Sequence, residues 1–313
     1  MPEVLEQGIS LVATRCAICG TEGNSATVYP ANFDAGAFTP EIFSARRNPD
    51  RIHYRLVSCL TCGLFRSDPV ASDDVLSDLY ARSEFHYGEE TTSLSSTYGR
   101  YLAECARFWS RKDALLEIGC GNGFFLEEAR RLGYATVRGV EPSTDAVAQA
   151  PPELRDAIVV DIMRPGLFEE QSFDVVCFFQ VLDHLPDPGA VLRECFHILR
   201  PGGLVLCLNH DAGALSARVL KEKSPIVDIE HTYLYSRQTL ARLLEAQGYT
   251  VRRGGAVRNT YSLRYLTHLL PLPGAVKRST AAALHAARLE SVRLSVKLGN
   301  QFMIAQRPES GAA

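Results

Sequence analysis

Three groups of residues in this 313-residue chain have types and spacings suited to chemistry. The first is a glycine turn, Gly119, Gly121 and Gly123 with Cys120 and Asn122 between them, preceded by an apolar run and a carboxylate, Glu117. The second is a pair of C-x-x-C motifs, Cys16 with Cys19 and Cys59 with Cys62, each followed by glycine. The third is Glu230-His231 in the stretch DIEHTYLYS, with His184 and His210 in segments expected to follow strands.

Alternate glycines let a backbone turn tightly and approach a ligand closely. A dinucleotide fingerprint would place its third glycine at 124, where this chain carries Phe124. The carboxylate of Glu117 would repel a pyrophosphate but suits a cation. Opposite charges near 4 Å, at an effective dielectric of ~20, attract by about 4 kcal/mol before desolvation. S-adenosylmethionine, with an ammonium, a sulfonium and no phosphate, is a nucleoside of that kind. Glu141, ending the next strand in GVEPS, is placed to accept ribose hydroxyls. Asp161, after the third strand, either accepts from an adenine amine or caps a turn or helix.

Each C-x-x-C offers two thiolates to one ion, and four thiolates close a tetrahedral zinc site with no open position. Such a zinc is structural and contributes folding energy to a segment too small to bury a core. A redox pair or separate surface thiols are the alternatives. Of the other five cysteines, Cys105, Cys177, Cys195 and Cys207 read as small core hydrophobes, while Cys120 lies inside the glycine turn. The net charge of −3 argues against a general attraction to nucleic acid or anionic lipid. Neither a secretory leader nor an apolar run long enough to span a membrane is evident, so a cytoplasmic protein is expected.

These groups need elements to hold them. Apolar runs at 114–118, 136–141, 157–160, 173–179 and 203–209 alternate with amphipathic stretches at 123–133, 143–150 and 188–200. That alternation predicts βαβ units and a parallel sheet covered on both faces. A helix at 236–248, a strand near 249–255 and a last strand at 299–307 complete the pattern. The expected division is a zinc-binding module over 1–75, a helical linker or lid over 76–110, and a main domain over 111–313. Within the main domain, residues 256–298 form a helical insert.

The set E-I-G-C-G-N-G (117–123), G-V-E-P-S (139–143), Asp161, F-D-V-V (173–176), QVLDHLPDP (180–188) and LRPGG (199–203) resembles the class I S-adenosylmethionine-dependent methyltransferases. The resemblance implies an α/β, Rossmann-like sheet of seven strands with the last antiparallel. It implies that Glu117 and Gly119–Gly123 hold the methionine part, Glu141 with Pro142 the ribose, and Asp161 with Ile162 the adenine. Gln180 and Val181 should lie near the cofactor. Leu182-Asp183-His184 stands where the family often has L-E-H, a mild departure. The first 75 residues resemble the N-terminal zinc module of some bacterial methyltransferases that modify sugars and related metabolites, a zinc-ribbon-like unit; by that analogy Tyr87 and Glu90 face the acceptor. The stretch 228–236 resembles the E-H-x-x-Y-F-S segment of deoxysugar C-methyltransferases, in which the histidine is the base and the glutamate its neighbour. This chain has Asp228 where those enzymes carry a tyrosine.

Methyl transfer from a sulfonium needs chiefly an acceptor held about 3–3.5 Å from the methyl carbon. A base is needed only for an acceptor hydroxyl or acidic C–H, and histidine suits that role near neutral pH. His231, with Glu230, reads either as the base or acceptor ligand or as a histidine that fixes its loop, and His184 as a hydrogen-bonding residue near the cofactor. The expected acceptor is a sugar, nucleotide sugar or glycan intermediate. An RNA methyltransferase using the zinc module is disfavoured, because the segment between the cysteine pairs lacks a dense basic stripe. A non-catalytic cofactor-binding scaffold is the third reading. Oligomeric state is left open.

Overall fold

The computed structural model describes residues 3–4, 10–33, 42, 51–82, 91–264, 267, 273–290 and 292–309. The N-terminal part carries β1 (Glu3–Val4), β2 (Ser10–Val12), β3 (Ser25–Tyr29), β4 (Leu56–Cys59), β5 (Phe65–Ser67) and β6 (Val70–Ala71), then α1 (Asp73–Ala81) and α2 (Thr91–Cys105). The main domain follows with β7 (Ala114–Ile118), α3 (Phe124–Arg131), β8 (Thr136–Val140), α4 (Thr144–Ala148), α5 (Pro152–Arg155), β9 (Ile158–Val159), β10 (Phe173–Phe179), α6 (Pro188–Ile198) and β11 (Leu199–His210). After α7 (Leu215–Leu220) come β12 (Tyr233–Leu234), α8 (Arg237–Ala246), β13 (Thr250–Ala256), β14 (Asn259–Ser262), α9 (Gly274–Ala286), β15 (Arg293–Val296) and β16 (Asn300–Gln306).

The main sheet has seven strands in the order β13-β16-β11-β10-β7-β8-β9. β16 runs antiparallel to β11 and β13, while β11, β10, β7, β8 and β9 are mutually parallel. This is the sheet expected from the sequence. Side chains on β7 and β10 alternate between two apolar layers. Leu116, Ile118, Val176 and Phe178 face one layer, and Leu115, Val175, Cys177 and Phe179 the other. A strand buried on both faces is apolar at nearly every position, which is why these runs show no polar alternation, with Glu117 on β7 and Asp174 on β10 the buried exceptions. Cys105, Cys177, Cys195 and Cys207 are all buried, as core-filling cysteines should be.

The helices start where their side chains allow it. Asp187 caps α6 by accepting from the Ala190 N–H, with Pro188 in the first turn. Ser236 and Thr239 cap α8 reciprocally, fixing the segment that leaves β12. Those two caps set the chain direction on either side of the crevice outside the carboxyl ends of the parallel strands, where open α/β sheets bind ligands.

Two features depart from the expected organisation. The N-terminal sheet is not built from N-terminal residues alone: β12 pairs antiparallel with β5 and completes the order β12-β5-β4-β3. Among the described residues of the insert, the helix that follows residue 273 ends at Ala286, and the expected amphipathic stretch to residue 298 breaks. Arg288 adopts a positive φ of 57°, which ends a helix, and Val292, Leu294 and Val296 then recur at the strand period of two. β15 accordingly pairs with β14 in a two-stranded ribbon. Among the described residues no helix is long and apolar enough to cross a membrane.

Candidate active site

The glycine turn occupies the crevice after β7. Gly119 has φ +70°, and a Cβ there would stand 2.4 Å from Val181 Cγ2, so the residue must be glycine for both conformation and space. The N–H groups of Gly119 and Cys120 both donate to the Val140 carbonyl, tying the turn to the end of β8. Gly123, at φ 77°, opens α3. Cys120 points away from the crevice: its Sγ lies where a Cβ on Gly139 would stand, only 2.4 Å off, so β8 needs glycine at that point. Asn122 Oδ1 accepts from the Phe124 N–H at 3.3 Å.

Glu141 braces this turn from the neighbouring strand. Its Oε2 accepts from the Gly121 N–H at 2.8 Å, and its Oε1 from the Ser143 N–H at 2.9 Å, across Pro142. A carboxylate has about four lone-pair sites, so two remain for a ligand's hydroxyls. Burial nevertheless raises the Glu141 carboxyl above its ordinary range, despite those two donors. Glu117 is 2% exposed and its Oε2 accepts no hydrogen bond. Burial, with Glu141 adding repulsion, pushes its carboxyl well above the usual value. A positively charged ligand would relieve both costs at once.

At the end of β10, Gln180 holds φ +59°, a conformation that costs energy for a side chain other than glycine and clusters at functional sites. Its N–H donates to the Leu208 carbonyl at 2.8 Å, and its buried Oε1 accepts nothing. Val181 covers Gly119. Asp161 follows β9, but its Oδ1 accepts from the Ile162 N–H and its Oδ2 pairs with Arg164 at 2.8 Å. Ile162 beside it is 54% exposed, an apolar side chain on the crevice rim.

Beyond Gln180 lies a cluster of three histidines around Asp183. His231 is buried, and its Nδ1 faces the Ile226 carbonyl at 3.0 Å. A carbonyl only accepts, so the proton sits on Nδ1 and Nε2 keeps its lone pair. That Nε2 is 3.9 Å from Asp183 Oδ2. The His231 ring centroid lies 4.8 Å from that of His184 and 5.1 Å from that of His210. His184 Nδ1 meets the Tyr80 hydroxyl at 3.1 Å, and His210 Nδ1 meets Asn300 Oδ1 at 2.9 Å. Asp183 accepts from Asn209 Nδ2 at 3.0 Å, while its Oδ2 accepts no hydrogen bond. Burial lowers all three histidines, His184 to about 4 and the other two below their ordinary value. Neutral imidazoles with available lone pairs can therefore take a proton or bind an electrophile.

The N-terminal module holds this cluster directly. Ser67, at the end of β5, donates its hydroxyl to the His231 carbonyl at 2.8 Å, and its N–H to the Thr232 carbonyl at 2.9 Å. The Asp183 carbonyl accepts from the N–H groups of both Thr232 and Tyr233. Four thiols lie at the module's other end. Cys16 and Cys62 Sγ atoms are 3.3 Å apart, those of Cys19 and Cys59 3.6 Å apart, and the four lie within 4.8 Å of one another. Thiolates at about 2.3 Å on a tetrahedral zinc stand about 3.8 Å apart, so the cluster fits one ion. Gly20 and Gly63 both take positive φ, and their N–H groups donate back to Cys16 and Cys59 respectively, forming two tight knuckles. Burial opposes ionisation of Cys59, yet the N–H groups of Cys62 and Thr61 and the thiols of Cys19 and Cys62 together outweigh it and hold the thiol at about 6.

The structure thus brings Glu117, the glycine turn, Glu141, Gln180 and Val181 into one crevice, and His184 with His231 into its far end. Asp161 is drawn toward Arg164. Glu230 has its N–H held by Asp228, and the carboxylate close to the His231 Nε2 is Asp183. Tyr87 and Glu90 lie outside the described residues. The central role of Asp183 was not read from the sequence, although its departure from L-E-H marked the position. His210, expected from the sequence to follow a strand, does stand beside His231, whereas Asn209 and Tyr80 gave no local signal, because only the fold brings them to Asp183 and His184.

Strand order, glycine turn and paired carboxylates define a class I S-adenosylmethionine-dependent methyltransferase. Residues 93–253, just over half of the chain, match the family model described as a methyltransferase domain, and the chain belongs to that family. Among curated relatives, a ubiquinone biosynthesis O-methyltransferase from Pseudomonas putida is 38% identical over 97 residues, or 29% of this chain and 41% of that protein. The Neisseria meningitidis protein of the same name is 33% identical over 104 residues, 30% of this chain and 43% of its own. The chain therefore spans less than half the length of these relatives. Among solved structures, a SAM-dependent methyltransferase from Archaeoglobus fulgidus aligns with TM-score 0.46 at 17% identity, over 69% of this chain and 97% of its own. One from Aquifex aeolicus aligns with TM-score 0.46 at 14% identity, over 70% and 94%.

Proposed function

We propose that this chain transfers a methyl group to an oxygen of a small-molecule acceptor, a sugar, nucleotide sugar or glycan intermediate, bound beside His184, His210 and His231. In this reading Glu117 and the glycine turn take the charged methionine part of the donor, and Glu141 the ribose. Asp161 and Ile162 take the adenine, with Gln180 and Val181 lining the path between donor and acceptor. Zinc in the four-cysteine site is structural and holds the module against the acceptor end.

The observation that carries the reading is the His231–Asp183 arrangement. A buried, neutral imidazole presents a lone pair 3.9 Å from a buried carboxylate, one residue cluster beyond the donor crevice. An acceptor hydroxyl must lose a proton on methylation, and this lone pair activates it. A positive charge formed on the ring would be stabilised by Asp183, by about 4 kcal/mol at ~4 Å and an effective dielectric of ~20. The small relatives' names favour oxygen as the methylated atom.

His231→Ala should leave donor affinity unchanged and reduce turnover by at least ~100-fold, the lower end for losing such a group. The acceptor comes from a mass-spectrometric screen of nucleotide sugars and small metabolites for the gain of one methyl. Full turnover by the variant on the true acceptor would remove His231 from the mechanism.

A further inference from the structure

The acceptor end has a second property that proton transfer does not require. Asp183, His210 and His231 each place one ligand-type atom so that all three lie within 4.8 Å of one another. Both imidazoles are held from behind: His231 Nδ1 by the Ile226 carbonyl, His210 Nδ1 by Asn300 Oδ1. Metal-binding histidines are held in this way, with one nitrogen fixed by an oxygen so that the other presents its lone pair. Asp183 is 1% exposed, one of its oxygens is fixed by Asn209, and the other accepts no hydrogen bond. A buried carboxylate oxygen left in that state, beside two imidazoles oriented the same way, is a cost that a cation removes.

We propose that Asp183, His210 and His231 bind a divalent first-row transition ion, which takes the acceptor through its reacting hydroxyl and an adjacent oxygen. The inference rests on the acceptor reading above and narrows it to compounds with a chelating oxygen pair, a vicinal diol or a hydroxyketone. Two imidazoles and one carboxylate suit such an ion better than Mg²⁺ or Ca²⁺, which prefer oxygen. At bonds of about 2.1 Å, ligands stand from about 3 Å (adjacent) to about 4.2 Å (opposite) apart, so uptake draws the three donors slightly inward. Three protein ligands leave positions open for the acceptor's two oxygens. The bound hydroxyl becomes more acidic and releases its proton to solvent. An oxygen lone pair then forms the new O–CH₃ bond as the S–CH₃ bond breaks, and that electron pair returns to sulfur, giving neutral S-adenosylhomocysteine. With the ion in place the His231 Nε2 lone pair is a metal ligand and takes no proton itself, so the ion replaces it as the group that activates the hydroxyl. His184 remains on the rim, held by Tyr80.

The test titrates Mn²⁺ into the full chain with zinc already in its cysteine site, following free Mn²⁺ by electron paramagnetic resonance. One Mn²⁺ per chain is expected, displaced by Co²⁺ and not by equimolar Mg²⁺. His210→Gln and Asp183→Asn should each weaken it at least tenfold while S-adenosylhomocysteine binding, measured by calorimetry, is retained and reports that the variants fold. Absence of bound Mn²⁺ at millimolar concentration would overturn the proposal. So would full methyl transfer by zinc-loaded protein shown by elemental analysis to hold no second ion, and the methyltransferase reading would then stand without it. Mn²⁺ bound at these residues, with no diol or hydroxyketone acceptor methylated, would leave the metal site standing and overturn the acceptor class.

Discussion

Gly119→Ala tests the donor crevice with a magnitude that follows from the geometry. An alanine at φ +70° adopts a left-handed conformation at a cost of ~1–2 kcal/mol. Its Cβ would also meet Val181 Cγ2 at 2.4 Å, about an ångström inside ordinary contact. Valine is stiff about χ1, so relief needs an off-rotamer side chain, at ~0.5–1.5 kcal/mol, or movement of the Gln180–Val181 backbone. That backbone is anchored by the Gln180 N–H on the Leu208 carbonyl. The combined cost is about 2–3 kcal/mol, and at ~1.4 kcal/mol per tenfold it weakens S-adenosylhomocysteine by about 30–100-fold if it falls on the complex. If it falls on folding instead, the melting temperature drops by about 4–12 °C, from ~2–4 °C per kcal/mol in chains of this order of size. Calorimetric titration and thermal denaturation separate the two. Gly133→Ala is the control: φ there is +97°, but the nearest atom to a Cβ is Lys112 Cδ at 3.8 Å, so it should lose stability and keep affinity. Unchanged affinity and unchanged melting in Gly119→Ala would refute the placement of this turn.

Glu117 gives a pH test. Its carboxyl is raised in the free protein, so the folded chain holds a proton there that the unfolded chain loses at lower pH; stability from this group is therefore lost as pH rises above the ordinary carboxylate range. Binding the cationic donor favours the carboxylate, so a proton is released and affinity rises with pH, measurable by calorimetry in buffers of different ionisation enthalpy. Glu117→Gln should melt higher than wild type without ligand and bind the donor more weakly; a lower melting point with undiminished affinity would contradict this. Ser67→Ala removes the hydroxyl from the His231 carbonyl, a buried bond of 2.8 Å. It should cost ~1–3 kcal/mol of stability and lower turnover with donor affinity intact, and turnover equal to wild type would show that this tie does not position His231. If zinc fills the four-cysteine site as proposed, its chelation, or Cys19→Ser, should loosen β3–β5 and with them β12, reducing methyl transfer while S-adenosylhomocysteine still binds; elemental analysis gives the zinc content against which turnover is compared.

The donor half was legible because its parts follow one another along the chain. Glu117 near the end of β7, the alternate glycines after it and Glu141 after β8 follow strands whose largely apolar runs announced a two-faced parallel sheet. Each was placed by counting from the nearest strand. The insert was misread because an amphipathic pattern rich in alanine and arginine satisfies the helix period up to Ala286, and the switch to a period of two spans only a few residues. The partnership of Asp161 with Arg164, three residues on, is a local ion pair that the sequence permitted but gave no reason to prefer over a ligand. Asp183 was quoted only as part of a motif, since its importance arises from three histidines that reach it from separate segments.

That contrast bears on how this enzyme divides its work. The family match over residues 93–253 embraces Glu117, Glu141, Gln180, Asp183, His210 and His231 but leaves out Ser67, Tyr80 and Asn300. The three omitted residues do not touch the donor turn in any bond described above; each instead fixes one of the histidines. Ser67 holds the His231 carbonyl, Tyr80 meets His184 Nδ1, and Asn300 meets His210 Nδ1. Two of the three come from the N-terminal part and the third from the last strand, after the β14–β15 ribbon. The residues proposed to hold the donor thus all lie within the matched region. The His184 and His210 imidazoles are each met by a residue outside the matched region, and Ser67 fixes the His231 backbone, while the His231 ring itself is held by the Ile226 carbonyl inside it. A chain trimmed to residues 93–253 would keep the residues proposed to bind the donor and lose the Ser67, Tyr80 and Asn300 contacts to the three histidines, so the proposed acceptor is to be sought with the full chain.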